Sequence, residues 1–328
     1  MSKKKIFIRC KAVKNYGWGN LQRQFNIAEL IDKRKYKIIF FFQGSNKGYQ
    51  FLKKSFLTIK LKENISLEKE LKILGNFDNS DFFIIEQLNI SLLAQRKYKS
   101  ITKKLIIFDD LLQNQYHCND LFCCQINNNY KLTLNNKKNK IDRFFYGYKY
   151  FPLSKELIKV SKIKNKKNKN IVISLGGGTY DKYYINILQI LDKYKSKFNK
   201  VIIFLKGEFK NDTIINIKKY DFIVVKKDKS SIFKYIKESQ LNILSGGYHK
   251  IESNFLRAKS FFIATHQHQN SLLENFTKFT NQNFIYFKSK NSNLLLNEYL
   301  ESFFNGKKYK EKYIINNYNK NFIKLLLR

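Results

Sequence analysis

The chain holds one proline, one methionine and one tryptophan in 328 residues, and only seven of its 63 basic residues are arginine. No uncharged apolar run reaches the ~20 residues that a membrane-spanning helix needs. Met1-Ser-Lys-Lys-Lys leads directly into an apolar strand rather than into the longer apolar core of a secretory signal. The four cysteines, Cys10, Cys118, Cys123 and Cys124, lack the paired C-x-x-C spacing of a zinc site, and two of them adjoin inside an apolar run. They are expected to be reduced packing residues of a cytoplasmic protein, with no metal and no cofactor. The scarcity of arginine also changes how the formal net charge of +38 is read. Nucleic-acid recognition leans on arginine as well as lysine. Here the lysines are spread through a sequence equally crowded with Asn, Ile, Tyr and Phe, which reads as a drift in residue usage, so no nucleic-acid partner is expected. Peripheral contact with an anionic membrane surface needs only scattered charge and stays open.

What is present is the material of a folded protein, 43% hydrophobic with 16% aromatic residues. The length suggests two domains. In the first half, apolar runs at Ile6–Cys10, Lys37–Phe42, Phe82–Ile85 and Leu105–Phe108 have the form of strands covered on both faces. Between the first two, Leu21, Phe25, Ala28 and Ile31 share one side of a helix over Asn20–Asp32. This is the β-α-β rhythm of a parallel sheet. The run Lys162-Ile-Lys-Asn-Lys-Lys-Asn-Lys-Asn170, beyond the single proline Pro152, is too polar to pack and marks a linker. It divides the chain into an N-terminal domain over 1–160 and a C-terminal domain over 161–328. The rhythm restarts with strands at Ile171–Leu175, Val201–Leu205, Phe222–Val225, Leu241–Leu244 and Phe261–Ala264. A surface helix suffices for the segment from Asn291 to Arg328. The fold class expected is α/β, two doubly wound Rossmann-type domains facing a central cleft, with ligands at the carboxyl ends of the strands.

One stretch organises the candidate site. In Leu241-Asn-Ile-Leu-Ser-Gly-Gly-Tyr-His-Lys-Ile-Glu252 a buried strand ends, two glycines turn the chain, and Ile251, Phe255 and Ala258 recur at helical spacing. Free N–H groups and the positive end of the helix dipole make such a turn an anion site. Glu252, about one turn into the helix, suits a ribose hydroxyl pair. The competing reading is an ordinary strand-to-helix turn, because short glycine motifs recur by chance. Asn15-Tyr-Gly-Trp-Gly-Asn20 and Gly176-Gly177-Gly178-Thr179 also lie between a strand and a helix. Three such loops in corresponding places say more than one.

Four groups of residues then carry a resemblance: Gly17-Trp18-Gly19-Asn20-Leu21-Gln22-Arg23; Phe108-Asp109-Asp110-Leu111 with Tyr116-His117-Cys118-Asn119-Asp120-Leu121; Ser174-Leu175-Gly176-Gly177-Gly178; and Ser245-Gly246-Gly247 through Glu252. In order and spacing, from Lys4 to about Phe276, the chain resembles the UDP-sugar hydrolase family of pseudaminic acid biosynthesis and related spore-coat polysaccharide proteins. The resemblance implies a GT-B fold, related to the transferase that adds N-acetylglucosamine to the lipid-linked peptidoglycan precursor. It implies a UDP-sugar substrate with Glu252 on the ribose and Ser245, Gly246, Gly247 and Tyr248 at the diphosphate; His249, from its own place on the turn, is a candidate to touch the diphosphate or, less readily, to act as the base. Gly176 and Gly177 would border the cleft, and Gly17 and Gly19 would let the N-terminal loop approach the sugar and diphosphate. The activity implied is hydrolysis of a UDP-linked amino sugar to UDP and free sugar for nonulosonic acid or surface polysaccharide synthesis.

The sequence departs from that family at Asn20, where the family has a histidine resembling a general base. A neutral amide cannot take the proton, and a lost base step is worth roughly 10²- to 10⁴-fold in rate. Asn20 can still orient a water through its donors and its acceptor. The alternatives are therefore a glycosyltransferase with the same donor site and a nucleotide-sugar binding protein of weak turnover. Asp109 and Asp110, ending a strand, are candidates for acid, base or hydrogen-bond partner, with loop capping as the plainer role. Asp110 and Asn20 are the catalytic candidates. Arg23 meets phosphate or steadies its loop, and His266-x-His268 reads as a solvated loop rather than a metal site.

Overall fold

A computed structural model of the chain describes residues 3–12, 18–87, 89–164, 166–176, 181–205, 216–217, 219–227 and 231–328. The chain divides into two units, Met1–Lys155 together with Asn317–Arg328, and Glu156–Asn316. The expected boundary at 160/161 thus falls at Lys155/Glu156, and the last twelve residues belong to the first unit.

Unit 1 is one parallel sheet. Its strands are β1 (Lys4–Ala12), β2 (Tyr36–Gly44), β3 (Leu57–Leu61), β4 (Ser80–Glu86), β5 (Thr102–Phe108), β6 (His117–Cys123) and β7 (Lys140–Tyr146), in the spatial order β3-β2-β1-β4-β5-β6-β7. The connecting helices are α1 (Gly19–Leu30), α2 (Asn46–Lys53), α3 (Leu67–Gly75), α4 (Leu92–Lys99) and α5 (Tyr130–Asn135). The central strands are apolar throughout because helices cover both faces: Phe7, Ile39, Phe41, Phe83, Ile85, Leu105 and Ile107 fill one side. Three helices begin with a serine whose hydroxyl accepts from the first turn, Ser45 from Gly48 N, Ser66 from Lys69 N and Ser91 from Ala94 N. Such caps are worth roughly 1 kcal/mol each. The missed strands β3, β6 and β7 lie toward the sheet's edges, where polar residues alternate with apolar ones.

Unit 2 repeats the plan. Following α6 (Lys155–Ser161), its strands are β8 (Ile171–Ser174), β9 (Val201–Leu205), β10 (Ile223–Lys227), β11 (Leu241–Ser245), β12 (Ser260–Ala264) and β13 (Asn283–Tyr286), in the parallel order β10-β9-β8-β11-β12-β13. Among its described helices are α7 (Asp181–Asp192), α8 (Ile232–Glu238), α9 (His249–Phe255), α10 (Gln267–Thr280) and α11 (Ser292–Phe304). Ile173, Tyr184, Leu188, Ile203, Ile243, Ile263 and Leu300 meet in its core. Among the described residues no helix is long and apolar enough to cross a membrane.

The polar run after α6, read from sequence as unable to pack, is held by backbone carbonyls. The ammonium of Lys237, on α8, donates to Val160 O, Ser161 O and Ile163 O at 2.5–2.9 Å and so closes the C-terminal end of α6. Lys167 Nζ donates to Lys237 O and Ser239 O, and burial lowers its pKa to about 8. The expected surface helix at the C-terminus is also corrected. Helix α12 (Asn319–Leu326) packs into unit 1, with Phe322 set edge-on to Phe108 and Phe122. Asn319 fixes its start by accepting from Leu153 N at 3.0 Å and donating to Leu153 O at 2.7 Å.

Phe322 is 1% exposed. Its replacement by alanine should lower the stability of unit 1 by about 3 to 5 kcal/mol in urea unfolding. A loss below about 0.5 kcal/mol would mean that α12 is a surface appendage after all.

Candidate functional site

In a doubly wound sheet the first strand and the fourth are neighbours whose connections leave to opposite sides, and the gap between their carboxyl ends is where a ligand fits. Unit 2 has this arrangement at β8 and β11, paired from Leu241↔Ile171 to Leu244↔Ser174. The glycine loops predicted from sequence follow these two strands. Gly176, two residues past β8, has φ +87°, a left-handed backbone that favours glycine, and a Cβ there would lie 3.4 Å from Ser245 Oγ. Gly177 lies outside the described residues.

After Ser245 the chain runs one step further along the sheet, with Gly246 N donating to Ile263 O at 2.9 Å. A Cβ on Gly246 would stand 2.5 Å from Leu273 Cδ1 and 3.1 Å from Cγ, so the fully buried Leu273 would have to shift. Glycine here lets α10 close on the loop. Gly247 has no such neighbour, and its N–H meets no acceptor among the described residues. Tyr248 O accepts from Ile251 N and Glu252 N to start α9. His249 and Glu252 lie on one side of its first turn. His249 Nδ1 is 3.4 Å from Ser245 Oγ, and its Nε2 is 3.9 Å from Glu252 Oε2.

Sequence reasoning passed over Lys250. It is fully buried, donates to Gly246 O at 3.1 Å and lies over the Phe276 ring, so it ties the glycine turn to α9 and α10. Its charge next to an apolar period gave no signal of that role. His266 and His268 stack at 5.4 Å. Desolvation lowers the His266 pKa, and that of the more exposed His268 is lowered in the same direction with His266 and Lys250 adding to it. Among the described residues no group of three His, Cys, Asp or Glu side chains is placed to hold a metal.

Unit 1 has the same switch between β1 and β4. Gly19 and Asn20 form the first turn of α1, where Asn20 is half-buried, and Gly17 lies outside the described residues. Helix α1 has no side-chain cap. One turn on, Arg23 is 2% exposed. Its Nε and Nη2 donate to Glu86, the last residue of β4, at 2.5–3.1 Å, and its Nη1 donates to Asp110 Oδ2 at 2.7 Å. Gln24 Nε2 adds a donor to Glu86 at 2.7 Å. Asp110 accepts further from Cys124 N and Gln125 Nε2. These contacts tie Arg23, and with it α1, to the ends of β4 and β5. Asp110 is taken up in the same way, holding Arg23 and the β6–β7 side of the sheet. Asp109 is a loop organiser that accepts from Leu111 N, Leu112 N, Asn114 Nδ2 and Tyr116 OH. The structure thus gathers Gly19, Asn20, Arg23 and Asp110 in unit 1, and Gly176 with Ser245 to Glu252 in unit 2. All four cysteines are free and buried.

Burial raises the Glu86 pKa against the opposing pull of Arg23. A carboxyl with a raised folded-state pKa stabilises the fold at low pH and loses that contribution as pH climbs through the raised value. Arg23→Met removes the pull that holds the value down. Stability should therefore fall by about 3 to 5 kcal/mol near pH 8 and by clearly less near pH 5. An equal loss at both pH values, in unfolding curves of wild type and variant, would contradict a buried carboxylate as the cause.

No known protein-family profile matches the chain. An uncharacterized protein of Methanocaldococcus jannaschii is 27% identical over 256 residues, 73% of this chain and 51% of that protein, so the match spans about half the length of this relative. Solved structures resemble the whole chain. MurG of Acinetobacter baumannii superposes with a TM-score of 0.63 at 9% identity, covering 98% of this chain and 99% of that one. UDP-GlcNAc 2-epimerase of Neisseria meningitidis, bound to UDP-GlcNAc, gives 0.56 at 13% identity with the same coverage. The M. jannaschii UDP-GlcNAc 2-epimerase, in complex with UDP-GlcNAc and UDP, gives 0.56 at 14%, again covering 98% and 99%. At these identities the similarity establishes the fold: α/β, GT-B-like, with two Rossmann-type units.

Proposed function

We propose that the chain is a nucleotide-sugar enzyme that holds UDP on unit 2 and hydrolyses a UDP-linked amino sugar to UDP and free sugar. The observation that carries the nucleotide site is the meeting of Gly176 and the Ser245–Glu252 turn at the β8/β11 switch point. An anion there can be met by backbone N–H groups, that of Gly247 first, with the glycines allowing close approach. Glu252 accepts from the ribose hydroxyls, and Tyr248 and His249 flank the diphosphate. The likeness in fold to enzymes solved with UDP-GlcNAc and UDP supports the same ligand class. Asn20, at the start of α1, orients the attacking group. Reduced buried thiols go with a cytoplasmic setting.

A specific observation favours a second reading, a glycosyltransferase with the same donor. Asn20 is a neutral amide, and the carboxylate of Asp110 is already taken by the guanidinium of Arg23 and the amide of Gln125. An acceptor hydroxyl would then take the place of water. The two readings divide on whether UDP and free sugar appear without an acceptor. Under the hydrolase reading, incubation with UDP-linked amino sugars releases both in equal amounts, and Asn20→Ala lowers the rate by about tenfold or more. Glu252→Ala should weaken UDP binding by about tenfold or more by calorimetry, since a charged partner of the ribose is lost. Retention of UDP with no release by the wild type would sink the hydrolase reading and leave the transferase.

A further inference from the structure

The nucleotide turn carries a titratable group whose surroundings single it out. His249 is nearly buried, with its imidazole between Ser245 Oγ at 3.4 Å and Glu252 Oε2 at 3.9 Å. Other charges near the turn are directed elsewhere. Lys250 points inward to Gly246 O and the Phe276 ring. After β12, His266 and His268 stack on one another, and desolvation and neighbouring positive charge disfavour their charged forms. From α8, which packs on α9, Lys237 is bound to the carbonyls of α6, Tyr235 lies against Phe204 and Lys226, and Lys234 and Glu238 complete its ionisable set. Among the described residues Glu252 is the carboxylate that forms an ion pair with His249.

We infer that nucleoside diphosphate binding to unit 2 is coupled to a proton on His249, whose imidazolium is held by Glu252 and meets the diphosphate. This rests on the nucleotide site proposed above and adds its regulation by pH. The physical reason is that a backbone turn supplies dipoles but no net charge, while a diphosphate is doubly or triply anionic. An imidazolium beside it forms a charge-assisted contact that a neutral ring does not. Glu252 keeps the proton on the ring while its remaining lone pairs accept from ribose. Linkage is reciprocal: if the protonated form binds more tightly, the bound nucleotide must raise the imidazole pKa by the same free energy. Affinity is then highest below the imidazole pKa and is lost as pH rises through it.

The test measures UDP affinity of the intact protein and of His249→Gln by calorimetry between about pH 5.5 and about pH 8.5, the span over which an imidazole titrates. The titration of UDP's own phosphate is common to both proteins and cancels in their ratio. The wild-type advantage over the variant should fall by about tenfold across this range. The His249 ring signals, followed by NMR in the wild type, should titrate about one pH unit higher with UDP bound than without. Glu252→Gln should lower that midpoint in the free protein. UDP binding in both proteins with a constant ratio and an unmoved midpoint would overturn the proton on His249 while leaving the nucleotide site standing. Absence of UDP binding by the wild type at every pH would overturn both.

Discussion

A parallel sheet built by right-handed crossovers has one place where its connections part, and the rest of this structure is arranged around two such places. In unit 2 the parting lies between β8 and β11, in unit 1 between β1 and β4. At each, a glycine-bearing loop leads from a strand toward a helix. The apolar strands below are interchangeable in kind, and their order decides which loops become neighbours. Gly176 and Ser245, far apart along the chain, are brought together because β8 and β11 pair in register.

The two switch points are stabilised differently. In unit 2 the turn is set by packing: Gly246 against Leu273, with Lys250 closing the turn from beneath. In unit 1 the helix that follows the switch point is held by charge, one guanidinium shared by two carboxylates, Glu86 and Asp110, from different parts of the sheet. Such a cluster adds little net stability over an apolar core, but removal of one partner leaves a buried charge and is costly. Its consequence is geometric, since it ties the second turn of α1, and with it Asn20, to the ends of β4 and β5.

A chain rich in Lys and Asn raises the question of how so many polar side chains are accommodated. Part of the answer is that their amides and ammonium groups pair with backbone groups that have no partner in the sheet or helices. Asn254 accepts from Ile314 N and Ile315 N and donates to Lys312 O, fixing the returning segment to α9. Asn319 does the same for Leu153, Asn139 for Tyr116 N and Thr133 O, and Lys237 for the end of α6. Buried backbone groups need partners, so a side chain can be polar in composition and still be a packing element. This is where sequence reasoning fell short. Periodicity recovers the central strands, because doubly covered strands are continuously apolar. It does not recover β6, where Asp120 is buried between Lys104 and Arg143, or the lysine run after α6, because patterns of hydrophobicity carry no information on which carbonyl a lysine will meet. The same blindness hid Lys250, and it left Arg23 undecided between meeting a phosphate and steadying its loop, with no sign of the two buried carboxylates it binds.

The central claim, a nucleotide diphosphate held at the β8/β11 switch point, is tested most directly by amide hydrogen exchange with and without UDP. The account predicts slowed exchange over Gly246 to Glu252 and at Gly176, with uridine alone producing much less. Unchanged exchange over that turn at saturating UDP, or protection confined to unit 1, would contradict it.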